Sequence, residues 1–145
     1  MLPKTFSASG VDEHVYSVEH SETLNAVFTG GRASVSGTYR AAVMRVDLAT
    51  TMTKWRRTFV DQTSGLDVVT ALAMSPDSQS VTIMASVLDP VWSVYSFLFT
   101  IRASDGGHNG STLSIRSGAV NKGEHIVFDQ GMVYQSSTEI YLTFQ

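Results

Sequence analysis

The chain repeats itself loosely every ~55 residues, within the period range of architectures built by stacking one supersecondary unit. Val15-Tyr16-Ser17-Val18-Glu19-His20-Ser21 aligns with Val69-Thr70-Ala71-Leu72-Ala73-Met74-Ser75. Each stretch leads through a polar turn to a second apolar run, residues 24–29 in one copy and 81–85 in the other. A third, shorter copy starts at Glu124-His125-Ile126, which echoes Glu13-His14-Val15. Units repeated in this way bury their apolar surface against one another, so each copy is expected to lean on its neighbours.

The unit itself reads as strands. Apolar residues alternate with period two, as in Ala42, Met44 and Val46 against Val43, Arg45 and Asp47. Residues 91–101, with Val91, Trp92, Val94, Tyr95, Phe97, Phe99 and Ile101, are rich in the β-branched and aromatic types that a buried strand favours. No window of helical length carries an apolar stripe. Met52-Thr53-Lys54-Trp55-Arg56-Arg57 is the one short helical candidate, and the β-branched Thr50 and Thr51 before it argue against that reading. Gly30-Gly31, Ser75-Pro76-Asp77-Ser78, Asp89-Pro90, Asp105-Gly106-Gly107 and Asn109-Gly110 read as turns. Residues 19–23 and 75–79 are expected to be equivalent hairpin turns in successive repeats.

Four strands are counted in each full repeat: 15–19, 24–29, 39–47 and 53–59 in the first, and 68–74, 80–85, 91–101 and 112–115 in the second. Residues 125–129 and 139–144 supply two more, and Lys4-Thr5-Phe6 resembles Arg57-Thr58-Phe59 at the outer edge. The expectation is an all-β chain of antiparallel four-stranded repeats, a partial β-propeller, with a single β-sandwich as the alternative. The chain divides into an outer strand and lead-in at 1–12, a first blade at 13–66, a second at 67–121 and a half blade at 122–145. Such an incomplete stack leaves apolar faces and strand edges open, which predicts contacts near Thr5 and along residues 140–144 with copies of itself or a larger protein partner.

With the strands placed, two segments resemble the blades of WD-type and quinoprotein-like propellers. Ser75-Pro76-Asp77-Ser78 after Val69-Thr70-Ala71-Leu72-Ala73-Met74 is similar to the inner hairpin of WD-type blades, with Ser78 where those carry glycine. Val46-Asp47-Leu48-Ala49-Thr50-Thr51-Met52-Thr53-Lys54-Trp55 is similar to the outer hairpin of quinoprotein-like blades, in which a Gly turn precedes a Trp; Thr51 stands at the glycine. Ile101-Arg102-Ala103-Ser104-Asp105-Gly106 echoes the same hairpin without the Trp. The resemblance implies a propeller architecture and a binding or scaffolding role, with no cofactor.

Composition narrows the function classes. Ten Lys and Arg against thirteen Asp and Glu give a net charge of −3, without the basic face that a nucleic-acid binder carries. Arg40, Arg45, Lys54, Arg56 and Arg57 are expected to divide between the two faces of their strands as solvated charge. The sequence holds no cysteine, which excludes thiolate metal sites, disulfides and cysteine nucleophiles and selects neither a reducing nor an oxidising compartment. No signal peptide and no membrane-spanning segment is read in it.

Nor does a catalytic constellation emerge. Asp12-Glu13-His14 and Glu19-His20-Ser21-Glu22 form the densest ionisable cluster. On a regular strand His14 and His20 would share a face yet stand ~20 Å apart, too far for one metal ion, with Glu13 turned away from His14. Residues 31–37 lack the spacing of a nucleophile elbow, and residues 105–110 lack the carboxylates of a calcium loop. Trp55 is expected to pack in the core with its indole N–H on an acceptor. The functional expectation is a non-catalytic protein-binding or scaffolding module. An oligomeric lectin-like protein using Trp92 or Tyr95 as a stacking platform, and a non-catalytic fragment of a propeller enzyme, are the alternatives.

Overall fold

The computed structural model describes residues 13–59, 67–88, 94–110, 112–116 and 131–143. Among them the fold is all-β and antiparallel. Ten strands run in chain order: β1 (Glu13–Ser21), β2 (Ala26–Val35), β3 (Thr38–Asp47), β4 (Met52–Phe59), β5 (Val68–Met74), β6 (Ser80–Leu88), β7 (Val94–Arg102), β8 (Leu113–Arg116), β9 (Gly131–Tyr134) and β10 (Ile140–Thr143). They form three meanders in sequence order: sheet I is β1-β2-β3-β4, sheet II is β5-β6-β7-β8, and sheet III is the hairpin β9-β10. The helical candidate Met52 to Arg57 thus lies in the edge strand β4, as its alternative reading as a strand over 53–59 expected, and no helix among the described residues is long and apolar enough to cross a membrane. The segments 4–6 and 125–129, Trp92 and Phe144 lie outside the described residues.

The repeat is legible in the ladders. In sheet I the pairing of β1 with β2 slips between Val15 and Ser17, leaving Tyr16 bulged; in sheet II the same slip occurs between Val69 and Ala71, at Thr70. Ser21 pairs with Ala26 as Ser75 meets Ser80. In the β3–β4 turn, Thr51 N donates to Asp47 O (2.7 Å), and in the matching turn Gly106 N donates to Arg102 O (2.9 Å). Thr51 (φ 56°) and Gly106 (φ 70°) both take the left-handed conformation that this turn requires.

Two sequence expectations are corrected. The first hairpin turn is Glu22 to Asn25 rather than 19–23, because the alternating polar residues Glu19 and His20 continue β1. Gly30-Gly31 is the middle of β2 and not a turn. A Cβ on Gly30 would lie 2.7 Å from Val69 Cγ1 and 2.9 Å from Leu72 Cγ, and one on Gly31 would lie 1.8 Å from the carbonyl oxygen of His14. The first glycine lets sheet II approach, and the second makes room for the bulged backbone of β1. The β2–β3 connection is instead the tight pair Ser36-Gly37, both with positive φ, as a two-residue hairpin demands.

The sheets stack face to face. Ala26, Phe28, Ala41, Val43 and Trp55 of sheet I share one core with Val69, Leu72, Val81, Ile83, Ala85, Phe99 and Ile101 of sheet II. The other face of sheet II, with Ala71, Ala73 and Met84, packs against Met132, Tyr134 and Ile140 of sheet III. Among the described residues, sheet II is therefore covered on both faces, while sheets I and III are each covered on one.

Candidate interaction surface

The joint between sheets I and II shows what these residues are built to do. The β7–β8 turn of sheet II plugs into a socket on sheet I. Trp55 Nε1 and Arg45 Nη1 both donate to the carbonyl oxygen of Ala103, at 3.1 and 3.0 Å, and Arg57 donates to the carbonyl oxygen of Asp105 through Nη2 (2.9 Å) and Nε (3.2 Å). Arg45 is held for this by Asp47, 2.9 Å away. Trp55 packs on Phe28 with ring centroids 5.9 Å apart, and the wall is so close to Gly106 that a Cβ there would lie 2.7 Å from Arg57 Cγ. Trp55 therefore fulfils its expectation as a core indole with a satisfied N–H. Arg45 and Arg57 do not remain simple solvated charges: pairing with turn carbonyls gives them a structural role.

The opposite face of sheet I carries the same knobs with nothing seated on them among the described residues. Register makes Val15 and Val18 equivalent to Val69 and Leu72, and Leu48 equivalent to Ala103. Val69, Leu72 and Ala103 are sealed in the joint, whereas Val15, Val18 and Leu48 are 54%, 60% and 40% exposed. Beside them lies a cleft of about 330 Å³ lined by Glu13, Val27, Thr29, Gly31, Ala42, Met44, Leu48 and Arg56. Arg56 Nη2 stands 2.7 Å from Glu13 Oε1, a close ion contact whose angle does not make an aligned hydrogen bond. This pair reaches from β1 to β4 over the small residues of β2 and β3. At the far end of the stack, Val133 and Tyr141 of sheet III form an exposed apolar cross-strand pair, 61% and 55% exposed.

The bulge at Tyr16 changes the histidine geometry. His14 pairs with Arg32 and His20 with Val27, an odd number of residues apart on the regular strand β2, so the two imidazoles lie on opposite faces of sheet I and not on one. Among the described residues no three His, Asp or Glu side chains are grouped as a metal ion would need. His14 instead joins an aromatic cluster, stacked on Tyr16 at 6.3 Å and edge-on to Tyr39 at 6.0 Å, with the Arg32 guanidinium 4.3 Å over the Tyr39 ring.

Ionisation follows local contacts. Burial raises the Glu19 carboxyl above its ordinary value, on the face of sheet I that meets sheet II. Asp77 is held low, chiefly by the Ser75 hydroxyl and then by the Gln79 N–H, both within its own turn. Asp105 is held low by the Arg102 side chain and the Gly107 N–H, which stiffens the turn that enters the socket. Trp92 falls outside the described residues and Tyr95 is described only as a position in β7, so the stacking platform of the lectin-like alternative finds no geometry here. Comparison with models of protein families, with curated proteins and with solved structures finds no match.

Proposed function

We propose that this chain is a non-catalytic interaction module, a propeller-type stack of β-sheets that works by docking another protein onto its open sheet faces. One observation carries the reading: Val15, Val18 and Leu48 are exposed at the positions where Val69, Leu72 and Ala103 are buried in an interface of the same molecule. Apolar residues at matching positions of a repeat serve the same packing role, and an unsatisfied copy of that face is a binding surface. The blade-like hairpins around Ser75-Pro76-Asp77-Ser78 and Thr51 support a propeller as the architecture and a scaffold as the role.

The test is hydrodynamic. Sedimentation of the full chain at micromolar concentration, with and without a hydrophobic dye, is expected to show association or strong dye binding that Val15→Glu together with Val18→Glu removes. A soluble 15.7 kDa species that binds no dye and is unchanged by the pair of substitutions overturns the reading.

A further inference from the structure

We infer that the partner on the open face of sheet I is the sheet III hairpin of a second copy of this chain, with Tyr141 seated in the cleft. The inference rests on the reading of the chain as an interaction module and names its partner. One pair of positions recurs through the three sheets. In sheet I the pair facing the next sheet is Glu19 and Phe28, in sheet II it is Ala73 and Thr82, and in sheet III it is Val133 and Tyr141. The assignment is fixed by the hairpin bonds Ser75 N to Ser80 O and Gln135 N to Glu139 O, and by Ile140 and Met132 facing sheet II as Val81 and Leu72 face sheet I. Phe28 at this position is wholly buried by sheet II, whereas Tyr141, the aromatic at the same position one end later, is 55% exposed.

The receiving face has the matching shape. Where sheet II meets sheet I with Ile83, Ala85, Phe97 and Phe99, sheet I presents Thr29, Gly31, Ala42 and Met44 at the equivalent positions. In the internal joint both sheets contribute bulk, Phe28 and Trp55 from sheet I against Ile83 and Phe99 from sheet II, and the hollow is at Gly30 of sheet I. On the open face the smaller residues leave a cleft of about 330 Å³, so the bulk must come from the other side. An aromatic ring flanked by a β-branched residue is what sheet III offers. The two faces belong to opposite ends of the stack with sheet II between them, so one hairpin cannot reach its own sheet I. Docking is therefore head to tail between copies, and it continues the internal joint as a ring or an open series.

The absence of native cysteine makes the test specific. Full chains carrying Val18→Cys and Tyr141→Cys are purified separately, then incubated alone and mixed under mild oxidation. The mixture is expected to give a disulfide-linked dimer at least ten times faster than either variant alone, and unlabelled wild-type chain is expected to suppress it. Tyr141→Asp in otherwise native chain is expected to shift the sedimenting species to 15.7 kDa. Association that persists in Tyr141→Asp, or equal cross-linking of each variant with itself, overturns the head-to-tail inference and leaves the interaction-module reading standing. A monomer with both engineered thiols freely reactive to a maleimide also overturns the inference alone. A monomer in which both thiols resist the reagent shows the two faces covered by the chain itself, and overturns both.

Discussion

Thr51 and Gly106 hold the same left-handed position in successive β3–β4-type turns, at φ 56° and 70°, but only Gly106 is pressed into a socket, against Trp55 and Arg57. At Gly106 a side chain meets both backbone strain and a wall. Gly106→Ala is expected to cost roughly 2–4 kcal/mol from overpacking and left-handed strain together. Thr51→Gly, in the unseated copy, is expected to change stability by less than about 1 kcal/mol, because relief of strain is offset by the greater freedom of glycine in the unfolded chain. Urea midpoints at constant slope measure both.

Trp55 joins the two large sheets through its ring and its N–H. Trp55→Ala is expected to lower stability by roughly 3–5 kcal/mol, the range for emptying an aromatic core site. Trp55→Phe keeps most of the packing and loses the bond to the Ala103 carbonyl, which Arg45 still satisfies, so about 1 kcal/mol is expected. Equal losses in the two variants would show that packing at Trp55 contributes little.

The adjacent glycines of β2 should differ. Gly30→Ala pushes against the side chains of Val69 and Leu72, which can yield, and is expected to cost about 1–3 kcal/mol. Gly31→Ala collides with the backbone carbonyl of His14, so it forces out the β1 bulge and is expected to be the worse of the two. Thermal unfolding of the single variants ranks them; Gly30→Ala as the more damaging would contradict the described packing.

Glu19 and the turn aspartates should respond to pH in opposite directions. The folded state raises the Glu19 carboxyl above its unfolded value, so folding takes up a proton there and stability falls as pH rises through the window between the two. Glu19→Gln is expected to remove that loss and to stabilise the chain at neutral pH, with no effect once the unfolded carboxyl is also protonated. Asp77 and Asp105 are lowered, so their contributions are present above the ordinary carboxylate range and are lost as pH falls through their folded values. Stability of Glu19→Gln that tracks the parent at every pH would contradict the burial of Glu19.

Most of the strands, their antiparallel order and the repeat were legible in the amino acids, because period-two alternation and turn chemistry are local properties. Trp55 was legible as core, and Ser75-Pro76-Asp77-Ser78 as a turn, for the same reason. By contrast, β9 at Gly131–Tyr134 was not among the strands counted, and β2 runs on through Gly30-Gly31. The face that each side chain occupies was not. Val15 and Val18 share a face, and His14 and His20 do not, because a bulge at Tyr16 resets the alternation, and a bulge is a property of the pairing with β2. Gly30-Gly31 has the composition of a turn and the role of a gap, since what it accommodates, Val69, Leu72 and the His14 carbonyl, is brought to it by tertiary packing. Arg45 and Arg57 look like surface charge until the Ala103 and Asp105 carbonyls arrive from a different sheet. The local residue pattern suffices for repeated antiparallel sheets. Which copies of the repeated apolar face are sealed and which, among the described residues, stand open follows from the packing of the sheets, because burial depends on which neighbour is present, and a matching apolar pattern stands in both copies.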